Sequence, residues 1–357
     1  MIAILQPFIP HYREEFFTGL GRKTAIDIYC YENQDDIGRE HFHQARVMIR
    51  PIGRRSIGPF LFYNPFTLLN KRYDVLVLML NFTHLSTWLL LLTQPLHRKK
   101  IILWGHGISI KRFKKEERRP HLLLRWMIAL AGEVWFYTDY ELNIWRKIFP
   151  KKPFVSLNNT ISGIRDIMRL PPADKSGLKQ KHGIRQDVIL IFCARFNTLE
   201  RRTDILEKAI AGLDEERYGF IIIGDGPFKP DFGRFKNVYD FGSVYDRDLK
   251  NDLFRVADIY FQPAWLGLSV TEALAYEKPI YTFERTGELL QCVEYSYLID
   301  GYNGAIARDF EQFIRLVSGT TRQDIDRMSA NCKAFTETHL TMEHMIDSAY
   351  EGINQLI

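Results

Sequence analysis

The sequence predicts an α/β protein built from two Rossmann-like domains, each with a parallel β-sheet wrapped by helices. Short apolar runs alternate with helical patterns along the whole chain, and this alternation is typical of strand–helix–strand units. A length of 357 residues is also more than one hydrophobic core usually organises. The pair Pro171–Pro172 interrupts the alternation, which then begins again. We therefore expect a linker near residues 166–176 and two domains that face each other across a cleft.

The first domain is predicted to span residues 1–168. Its short apolar runs predict strands, and longer patterns with a helical period predict helices between them. One apolar stretch, residues 75–92, has the length of a membrane span, but Asn81, His84, Ser86 and Thr87 interrupt it. It is therefore predicted to form a buried strand and then a buried helix. The predicted strands are 2–6, 26–31, 75–80, 100–104, 133–137 and 154–156, and the predicted helices are 12–22, 85–96, 120–131 and 139–148.

The second domain is predicted to span residues 169–340 and repeats the same pattern. Its predicted strands are 188–194, 219–223, 238–241, 259–262 and 280–283, and its predicted helices are 203–211, 247–257 and 269–276. Residues 341–357 form a last helical pattern, expected to pack back against the first domain. Because ligands of open parallel sheets bind beyond the carboxyl ends of the strands, the loops after these strands are the places to search for a site.

Composition and charge indicate which kinds of ligand and which cellular compartment suit the protein. The net charge of +5 and the pI of about 8.8 suit an anionic ligand or an anionic membrane surface, but they are too small to indicate nucleic-acid binding. The four cysteines are far apart, without CxxC spacing or paired histidines, so neither a zinc site nor a disulfide framework is expected. The N-terminal segment lacks the features of a signal peptide. We therefore expect a protein of the reducing cytoplasm.

The segment around Gly267 is the first candidate site. A predicted strand ends at Gln262, a loop containing Gly267 follows, and a helix begins near Ser269. A helix that begins directly after such a loop presents unpaired backbone N–H groups, which favour an anion such as a phosphate. Glu272 lies one turn into the helix, where its carboxylate could accept hydrogen bonds from sugar hydroxyls. The run from Ser269 to Glu272 also fits a capping box that serves only the helix, and the helix alone does not decide between the two.

Arginines and glycines follow two other strands of the second domain. Arg195, Arg201 and Arg202 lie just beyond the first of them, and the fixed fork of donors on a guanidinium suits a diphosphate. The next strand ends in Gly224-Asp225-Gly226-Pro227, where glycine allows the backbone to approach a ligand closely. A plain turn uses the same residues, so this motif is weak by itself.

These motifs belong to a longer series of segments in a fixed order, which covers about residues 185–310. The series is Arg195…Arg201-Arg202, Gly224-Asp225-Gly226-Pro227, Phe241-Gly242-Ser243-Val244, Ala257-Asp258, Pro263…Gly267-Leu268…Glu272-Ala273, Lys278-Pro279 and Glu294…Asp300-Gly301-Tyr302-Asn303-Gly304. It resembles the nucleotide-sugar domain of retaining GT-B glycosyltransferases, the large family of bacterial polysaccharide and lipopolysaccharide enzymes. The resemblance implies the GT-B fold and a nucleoside diphosphate sugar as the donor substrate.

The resemblance also implies roles for individual residues. The Arg and Lys that hold the donor diphosphate in the family fall on Arg195 and on Arg201 or Arg202, so an arginine replaces the lysine and the choice between the last two stays open. The backbone of Gly267-Leu268-Ser269 is expected to cradle the phosphate. Glu272 falls on the second Glu of the family's Glu-x7-Glu motif, which binds the ribose hydroxyls.

Other donor contacts are expected in the neighbouring loops. Gly224-Asp225-Gly226 and the pair Val244-Tyr245 are predicted to line the donor site, and the identity of the base depends on loops such as the latter. One position departs from the family pattern, because Ala264 stands where the first Glu of the motif belongs. That carboxylate usually lies near the donor sugar, so either another residue does its work or the donor is placed differently.

The first half of the chain resembles the acceptor domain of the same family. The run Pro10-His11-Tyr12-Arg13…Phe16-Phe17 is similar to an opening found in one branch of these enzymes, so His11, Tyr12 and Arg13 are predicted to lie on the acceptor side. The run Trp104-Gly105-His106-Gly107 matches the family's position for a His near the donor sugar. His106, Arg195 and Arg201 are therefore the predicted catalytic residues.

The sequence as a whole predicts a retaining glycosyltransferase that passes a sugar to a hydroxyl of a glycan or lipid-linked glycan. The cationic side chains are expected to make a metal cofactor unnecessary. The basic run 111–119 precedes an apolar helix and predicts contact with anionic lipid headgroups, with a solvated surface as the alternative. The expected location is cytoplasmic, and peripheral at the inner face of the plasma membrane.

Three other functions fit parts of the pattern. A nucleotide-sugar epimerase shares the two-domain architecture and the donor. A non-catalytic nucleotide-sugar-binding relative would account for Ala264. A two-lobed solute-binding protein is also conceivable, although the missing signal peptide speaks against it.

Overall fold

The computed structural model describes residues 1–32 and 47–357, which form two compact units. The first unit consists of Met1–Gly163 and Leu340–Ile357, and the second consists of Ile164–His339. Each unit is built around its own parallel sheet. The predicted α/β class with parallel sheets is therefore confirmed.

The sheet of the first unit has the strand order β3-β2-β1-β6-β7-β8-β9. Its central strands are buried on both faces, which explains why they are continuous apolar runs in the sequence. A separate antiparallel hairpin, β4 and β5, follows β3 in the chain. The strands are β1 (Ile2–Gln6), β2 (Ile26–Cys30), β3 (Val47–Pro51), β4 (Arg54–Ile57), β5 (Phe60–Tyr63), β6 (Val75–Met79), β7 (Lys100–Trp104), β8 (Glu133–Phe136) and β9 (Phe154–Ser156).

Helices cover both faces of this sheet. They are α1 (Glu14–Lys23), α2 (Pro65–Leu68), α3 (Leu85–Leu92), α4 (Gln94–His97), α5 (Phe113–Glu116), α6 (Leu122–Leu130), α7 (Asp139–Ile148) and the C-terminal α15 (Met342–Leu356). The strand β2 lies on one side of β1, and β6, β7 and β8 follow one another on its other side. Right-handed crossovers then place the connecting helices on opposite faces. Accordingly, α1 and α15 share one core, and α3, α6 and α7 share the other.

The C-terminal helix α15 belongs to the first unit. Its residues Met345, Ile346 and Ala349 are part of the buried cluster that also contains Phe16 of α1. Gly19 lies where the two helices meet, and a Cβ there would overlap the side chain of Ile346. A side chain at position 19 would therefore force the side chain of Ile346 to move.

The apolar stretch 75–92 forms the strand β6 and the helix α3, as the sequence predicted. The first of these lies inside the sheet and the second packs on it. Among the helices in residues 1–32 and 47–357, none is both long enough and apolar enough to cross a membrane.

The sheet of the second unit has the order β12-β11-β10-β13-β14-β15. Its strands are β10 (Val188–Cys193), β11 (Tyr218–Ile223), β12 (Val238–Asp240), β13 (Ile259–Phe261), β14 (Ile280–Phe283) and β15 (Gly304–Ala307). Its helices are α8 (Ile164–Met168), α9 (Lys175–Lys181), α10 (Thr203–Gly212), α11 (Arg247–Val256), α12 (Ser269–Ala275), α13 (Phe310–Gly319) and α14 (Arg322–His339).

Some of these elements have no clear signal in the sequence. All four residues of β4 are exposed, so this strand shows no alternation of apolar and polar residues. The strand β15 consists of Gly, Ala and Ile, a composition that favours strands only weakly. It is extended because it pairs with β14, where Gly304 lies opposite Ile280 and a Cβ at Gly304 would overlap the Ile280 carbonyl.

Candidate functional site

The strand order of the second sheet provides a crevice for a ligand. The strands β10 and β13 are neighbours, and the chain continues from β10 to β11 on one side and from β13 to β14 on the other. Ligands of open α/β sheets bind where the order reverses in this way, outside the carboxyl ends of the strands. Cys193 ends β10 and Gln262 directly follows β13, so both residues lie at this position.

Gln262 organises the loop between β13 and α12. Its side chain is completely buried. Its Nε2 donates to the carbonyl oxygens of Ala264 (2.9 Å) and Trp265 (2.8 Å), while its Oε1 accepts from the hydroxyls of Tyr260 (2.7 Å) and Ser269 (3.2 Å). All hydrogen-bonding positions of this amide are thus used to hold the loop in one shape.

A second buried amide, Gln291, fixes the same loop from the other side. Its Oε1 accepts from the backbone amide of Leu266 at 2.9 Å, and its Nε2 donates to the carbonyl oxygen of Pro263 at 3.3 Å. The sequence pattern did not single out Gln262 or Gln291. Neither lies in a recognisable motif, and their importance follows only from the loop that they hold.

The backbone at Gly267 is accessible within this fixed loop. A Cβ built on Gly267 would have the Sγ of Cys292, 3.8 Å away, as its nearest contact. The backbone amides of Gly267 and Leu268 donate no hydrogen bond to any described residue. The loop therefore presents two half-buried N–H groups that have no hydrogen-bond partner among the described residues.

The capping-box alternative for the start of α12 is wrong. Leu268 is the N-cap residue, and no side chain accepts a hydrogen bond from the first turn. The hydroxyl of Ser269 donates instead to Gln262, and the carboxylate of Glu272 pairs with Lys250. Neither of the two residues that fitted a capping box serves the helix in this way.

The pair Lys250–Glu272 joins α11 to α12. The Lys250 Nζ lies 2.6 Å from a carboxylate oxygen of Glu272, and the two side chains are 26% and 16% exposed. Burial lowers the pKa of Lys250, but the charge of Glu272 and the hydrogen bond to it act in the opposite direction, and the net effect is a raised pKa. No motif marked Lys250 in the sequence, because a single lysine in an amphipathic helix usually faces solvent.

Arg201 is the arginine that lies at the crevice. It lies within electrostatic reach of Tyr260, Cys292 and Cys193, and burial lowers its pKa. Its Nε is buried and has no hydrogen-bond partner among the described residues. A buried donor of this kind costs free energy unless a partner satisfies it. Arg195 is exposed and lies within electrostatic reach of Arg201.

Arg202 has a different environment. Its guanidinium donates to both carboxylate oxygens of Asp204, at 2.8 and 2.7 Å. Its backbone has a φ of 53° and ends the short 3-10 helix that carries Arg201. The structure thus separates two adjacent arginines that the sequence left as alternatives.

Contacts within the protein require the glycines of Gly224-Asp225-Gly226. Gly224 and Gly226 have φ angles of 139° and 150°, and a Cβ at these positions would overlap the backbone oxygens of Ala194 and Phe196. The sequence predicted that these glycines let the backbone approach a ligand. In the structure they let it approach the loop after β10. Asp225 accepts from Lys229 (2.9 Å) and from the backbone amide of Ser243 (2.6 Å), and a role for this run in donor binding stays a prediction.

The predicted base-contacting loop lies after β12. Tyr245 is 91% exposed and Val244 is half-buried. Asp246 directly after them caps α11 by accepting from the amides of Asp248 and Leu249. The loop is thus anchored at its end, while the ring of Tyr245 extends into solvent.

In the first unit, His106 lies in the loop after β7. Its Nδ1 lies 3.5 Å from the buried carboxylate of Glu141, its ring lies 4.5 Å from that of Tyr137, and its side chain is 48% exposed. Glu141 also accepts from the amide of Gly107 at 3.0 Å. Trp145 donates to the Gly107 carbonyl at 3.1 Å, so two residues of α7 hold this loop. The sequence did not identify Glu141.

The predicted acceptor-side residues form a short 3-10 helix, His11–Arg13. Arg13 is only 6% exposed, and its guanidinium lies over the rings of Tyr12, Trp104 and Tyr137 at 5.6 to 5.7 Å. His11 is exposed and lines a groove of about 650 Å³ together with Glu14 and other residues of α1 and α15. Contact with an acceptor stays a prediction for His11 and Tyr12, whereas Arg13 presents little surface for it.

Ala264, where the family motif has a glutamate, is completely buried beneath the loop held by Gln262. Its methyl group carries no charge, Pro263 before it is buried as well, and Trp265 after it is half-buried. The structure therefore agrees with the sequence that no carboxylate stands at this point of the loop.

Comparison with known proteins supports the fold. No family model and no curated protein sequence matches the chain, whereas many solved structures do. One is HepE of Anabaena in complex with UDP, with 13% identity, a TM-score of 0.70 and 99% of both chains covered. Another is a glycosyltransferase from Rickettsia africae, with 14% identity, a TM-score of 0.67 and coverage of 99% of this chain and 98% of that one.

A third similar structure is the lipopolysaccharide outer core galactosyltransferase WaaB, with 12% identity and a TM-score of 0.67. The similarity covers 100% of this chain and 99% of that chain. At these identities the similarity establishes the fold. It confirms the predicted GT-B architecture of two Rossmann-like domains over the whole length of the chain.

Proposed function

We propose that this protein is a retaining glycosyltransferase, which moves a sugar from a nucleoside diphosphate sugar to a hydroxyl of a glycan or lipid-linked glycan. One observation carries the proposal. The half-buried guanidinium of Arg201, the carboxylate of Glu272 and the amides of Gly267 and Leu268, which have no hydrogen-bond partner among the described residues, belong to segments that follow the two strands at which the sheet order reverses. Such a set suits a diphosphate joined to a ribose.

The difficult step in this reaction is the departure of a diphosphate with growing negative charge. Preorganised donors that point at this charge supply the largest share of the rate enhancement. We assign this role to Arg201 and Arg195 and to the backbone of Gly267-Leu268-Ser269. Two guanidinium groups and the backbone amides together supply the positive charge, so we propose a metal-independent transfer. Glu272 is assigned to the ribose hydroxyls, because its carboxylate, held by Lys250 at one oxygen, has further lone pairs that can accept hydrogen bonds.

The remaining steps concern the sugar and the acceptor. We assign His106 to the donor sugar, with Glu141 and Tyr137 holding the imidazole in place. The departing phosphate is proposed to accept the proton of the acceptor hydroxyl, which attacks on the face that the phosphate leaves, so that the anomeric configuration is retained. Exclusion of water from the bound donor would favour transfer over hydrolysis.

The similar structures favour a uridine donor and a surface-glycan acceptor. HepE is described in complex with UDP and glucose, and WaaB is a lipopolysaccharide galactosyltransferase. WaaG, which has 16% identity and a TM-score of 0.58, is a glycosyltransferase of lipopolysaccharide biosynthesis. These properties belong to those proteins, and they guide the choice of donors and acceptors for a first assay.

The assay incubates the protein with a panel of labelled UDP- and GDP-sugars, with and without lipid-linked glycan acceptors. The expected result is transfer of label to an acceptor, with an α-linked product from an α-linked donor by NMR. An epimerised sugar without transfer would identify a nucleotide-sugar epimerase instead. Donor binding without turnover would identify a non-catalytic relative, the alternative that Ala264 favours.

A further inference from the structure

Two neighbouring helices of the first unit are apolar on their outer sides as well as on their inner sides. The helix α3 connects β6 to β7 and α6 lies between β7 and β8, so both cover the same face of the sheet. Their inner residues, Leu90 and Leu91 of α3 and Leu124, Met127 and Ile128 of α6, are buried in one core. A helix of this kind normally carries polar residues on the side away from the core.

The outer side carries leucine and tryptophan at helical spacing. The exposed fractions are 47% for Leu89, 63% for Leu92, 84% for Leu96, 53% for Leu122, 55% for Trp126 and 38% for Leu130. We call these six residues the outer apolar face. Intervals of three or four residues place Leu89 and Leu92 on one side of α3, and Leu122, Trp126 and Leu130 on one side of α6. Leu96 lies in the short helix α4 that follows α3. Large apolar side chains that cluster in this way, rather than singly, mark an interaction surface.

Other helices of the same unit show what an ordinary outer side looks like. The helix α1 carries Glu14, Glu15, Arg22 and Lys23, and α7 carries Asp139, Arg146 and Lys147. Both bury one apolar stripe against the sheet and expose charged residues. The outer apolar face therefore distinguishes α3, α4 and α6 from α1 and α7.

The chain segment that carries this face is strongly basic. Residues 85–130 contain ten lysines and arginines but only two acidic residues, Glu116 and Glu117. Both glutamates are engaged within the chain, since Glu116 accepts from Arg112 at 2.8 Å and Glu117 accepts from Tyr140. Exposed basic residues directly precede α6, and they are Lys114, Lys115, Arg118 and Arg119.

We propose that the outer apolar face docks this protein on an anionic phospholipid bilayer. The leucines would enter the boundary between headgroups and acyl chains, and Trp126 suits this boundary because its ring is amphipathic. The basic residues before α6 would meet the anionic headgroups. A second copy of the chain fits the surface poorly, because it would bring two strongly positive surfaces together.

The test is sedimentation with vesicles made from equal parts of phosphatidylcholine and phosphatidylglycerol, compared with vesicles of phosphatidylcholine alone. The full-length protein is expected to sediment with the anionic vesicles, and less so as salt is raised. Replacement of Lys114 and Lys115 by glutamine is expected to lower partitioning roughly thirtyfold, on the basis of the usual contribution of a basic residue near such a surface.

The apolar contribution is tested with the triple variant Leu92→Ser, Leu96→Ser and Trp126→Ser, all at exposed positions. It is expected to lose most vesicle binding while its affinity for UDP and its far-UV circular dichroism stay unchanged. Ile299→Ser, at a 49% exposed position of the second unit, is the matched control and should bind vesicles like the wild type.

Three results would overturn the proposal. The wild type would fail to bind anionic vesicles, the triple variant would bind them equally well, or light scattering would show a dimer that the triple variant abolishes. The last result would assign the face to a second copy of the chain. None of these outcomes depends on which sugar is transferred. The experiments therefore test the docking surface separately from the proposed function.

Discussion

The Nζ of Lys250 lies 2.6 Å from the carboxylate of Glu272, and this pair holds the proposed ribose-binding residue in place before any donor arrives. Both side chains are mostly buried, at 26% and 16% exposure. An ion pair in such a place costs most when one partner is removed, because the other charge is then left without compensation. The pair therefore connects the stability of the second unit to the position of Glu272.

We expect Lys250→Met to lower the free energy of unfolding by about 1–2 kcal/mol and to weaken UDP binding. The matched control is Lys181→Met, because Lys181 also lies 2.6 Å from a carboxylate, that of Asp252, but is 63% exposed. Asp252 also lies 3.2 Å from His182, so it keeps a partner when the exposed Lys181 is lost. Removal of an exposed ion-pair partner costs about 0–1 kcal/mol. Chemical denaturation and calorimetric titration with UDP measure both effects. Equal losses for the two variants would contradict the assignment.

Arg201 and Arg202 are adjacent in the sequence, but our proposal assigns the diphosphate contact to Arg201 only. Arg201→Met removes a guanidinium with an unsatisfied buried Nε and should weaken UDP binding by about 2–3 kcal/mol, the range for a charge-assisted hydrogen bond. Arg202→Met removes a residue that already pairs with Asp204 and should leave the UDP affinity within about twofold. Calorimetric titration measures the UDP affinity of both variants. A larger loss of affinity in Arg202→Met would assign the diphosphate contact to Arg202 instead of Arg201.

His106 and Glu141 are expected to affect turnover more than donor affinity. His106→Ala should lower kcat about 100-fold, the cost of a misplaced reacting group, while the Kd for UDP stays within about twofold because UDP lacks the sugar that His106 is proposed to contact. Glu141→Gln keeps an acceptor for the Gly107 amide and should show a smaller loss of kcat. If His106→Ala weakens UDP binding and leaves kcat intact, the role assigned to His106 is wrong.

Two glycines separate a ligand effect from a folding effect. Gly224→Ala should destabilise the protein by more than about 2 kcal/mol, because the φ of 139° is unsuited to alanine and the Cβ would overlap the Ala194 carbonyl. Gly267→Ala has space for its Cβ, 3.8 Å from the Cys292 Sγ, and should leave the melting temperature nearly unchanged while weakening UDP binding. Thermal unfolding with and without UDP measures both. Unaltered donor binding in Gly267→Ala would remove this loop from the site.

Lys278 provides a prediction about pH. Burial and the nearby charge of Lys175 lower its pKa to about 8, although Asp258 and Glu277 act in the opposite direction and Arg322 adds to the lowering. The unfolded chain, with an ordinary lysine pKa near 10.5, then binds more protons than the folded protein between these two values. The contribution of Lys278 to stability should therefore increase as pH rises from about 8 to about 10.5.

The comparison of wild type with Lys278→Met isolates this effect from other titrating groups. Below pH 8 the variant lacks the lysine charge that the folded wild type desolvates. The free energy of unfolding of the variant, relative to that of the wild type, should therefore fall by on the order of 2 kcal/mol as pH rises to 10.5. Urea denaturation at a series of pH values measures the difference. A difference that does not change with pH would show that Lys278 titrates normally.

Much of the fold could be predicted from the sequence because parallel strands buried on both faces leave a direct signal. The runs that form β6 and β10 are continuous apolar segments, and the stretch 75–92 divides at its polar residues into β6 and α3. The loop around Gly267 was also recognisable, since a glycine between a strand and a helix is a local feature. Such features depend on a few adjacent residues and need no knowledge of distant contacts.

The pairing of side chains from different elements was decided only by the tertiary structure. Ser269 and Glu272 fit a capping box locally, yet Gln262 and Lys250 bind them instead. Arg201 and Arg202 have the same chemistry, but Arg202 pairs with the Asp204 carboxylate and Arg201 has a buried Nε without a partner among the described residues. A hydrogen bond or an ion pair depends on distances of a few ångströms between residues far apart in the chain, so the sequence determined which groups are present and the packed structure determined which of them meet.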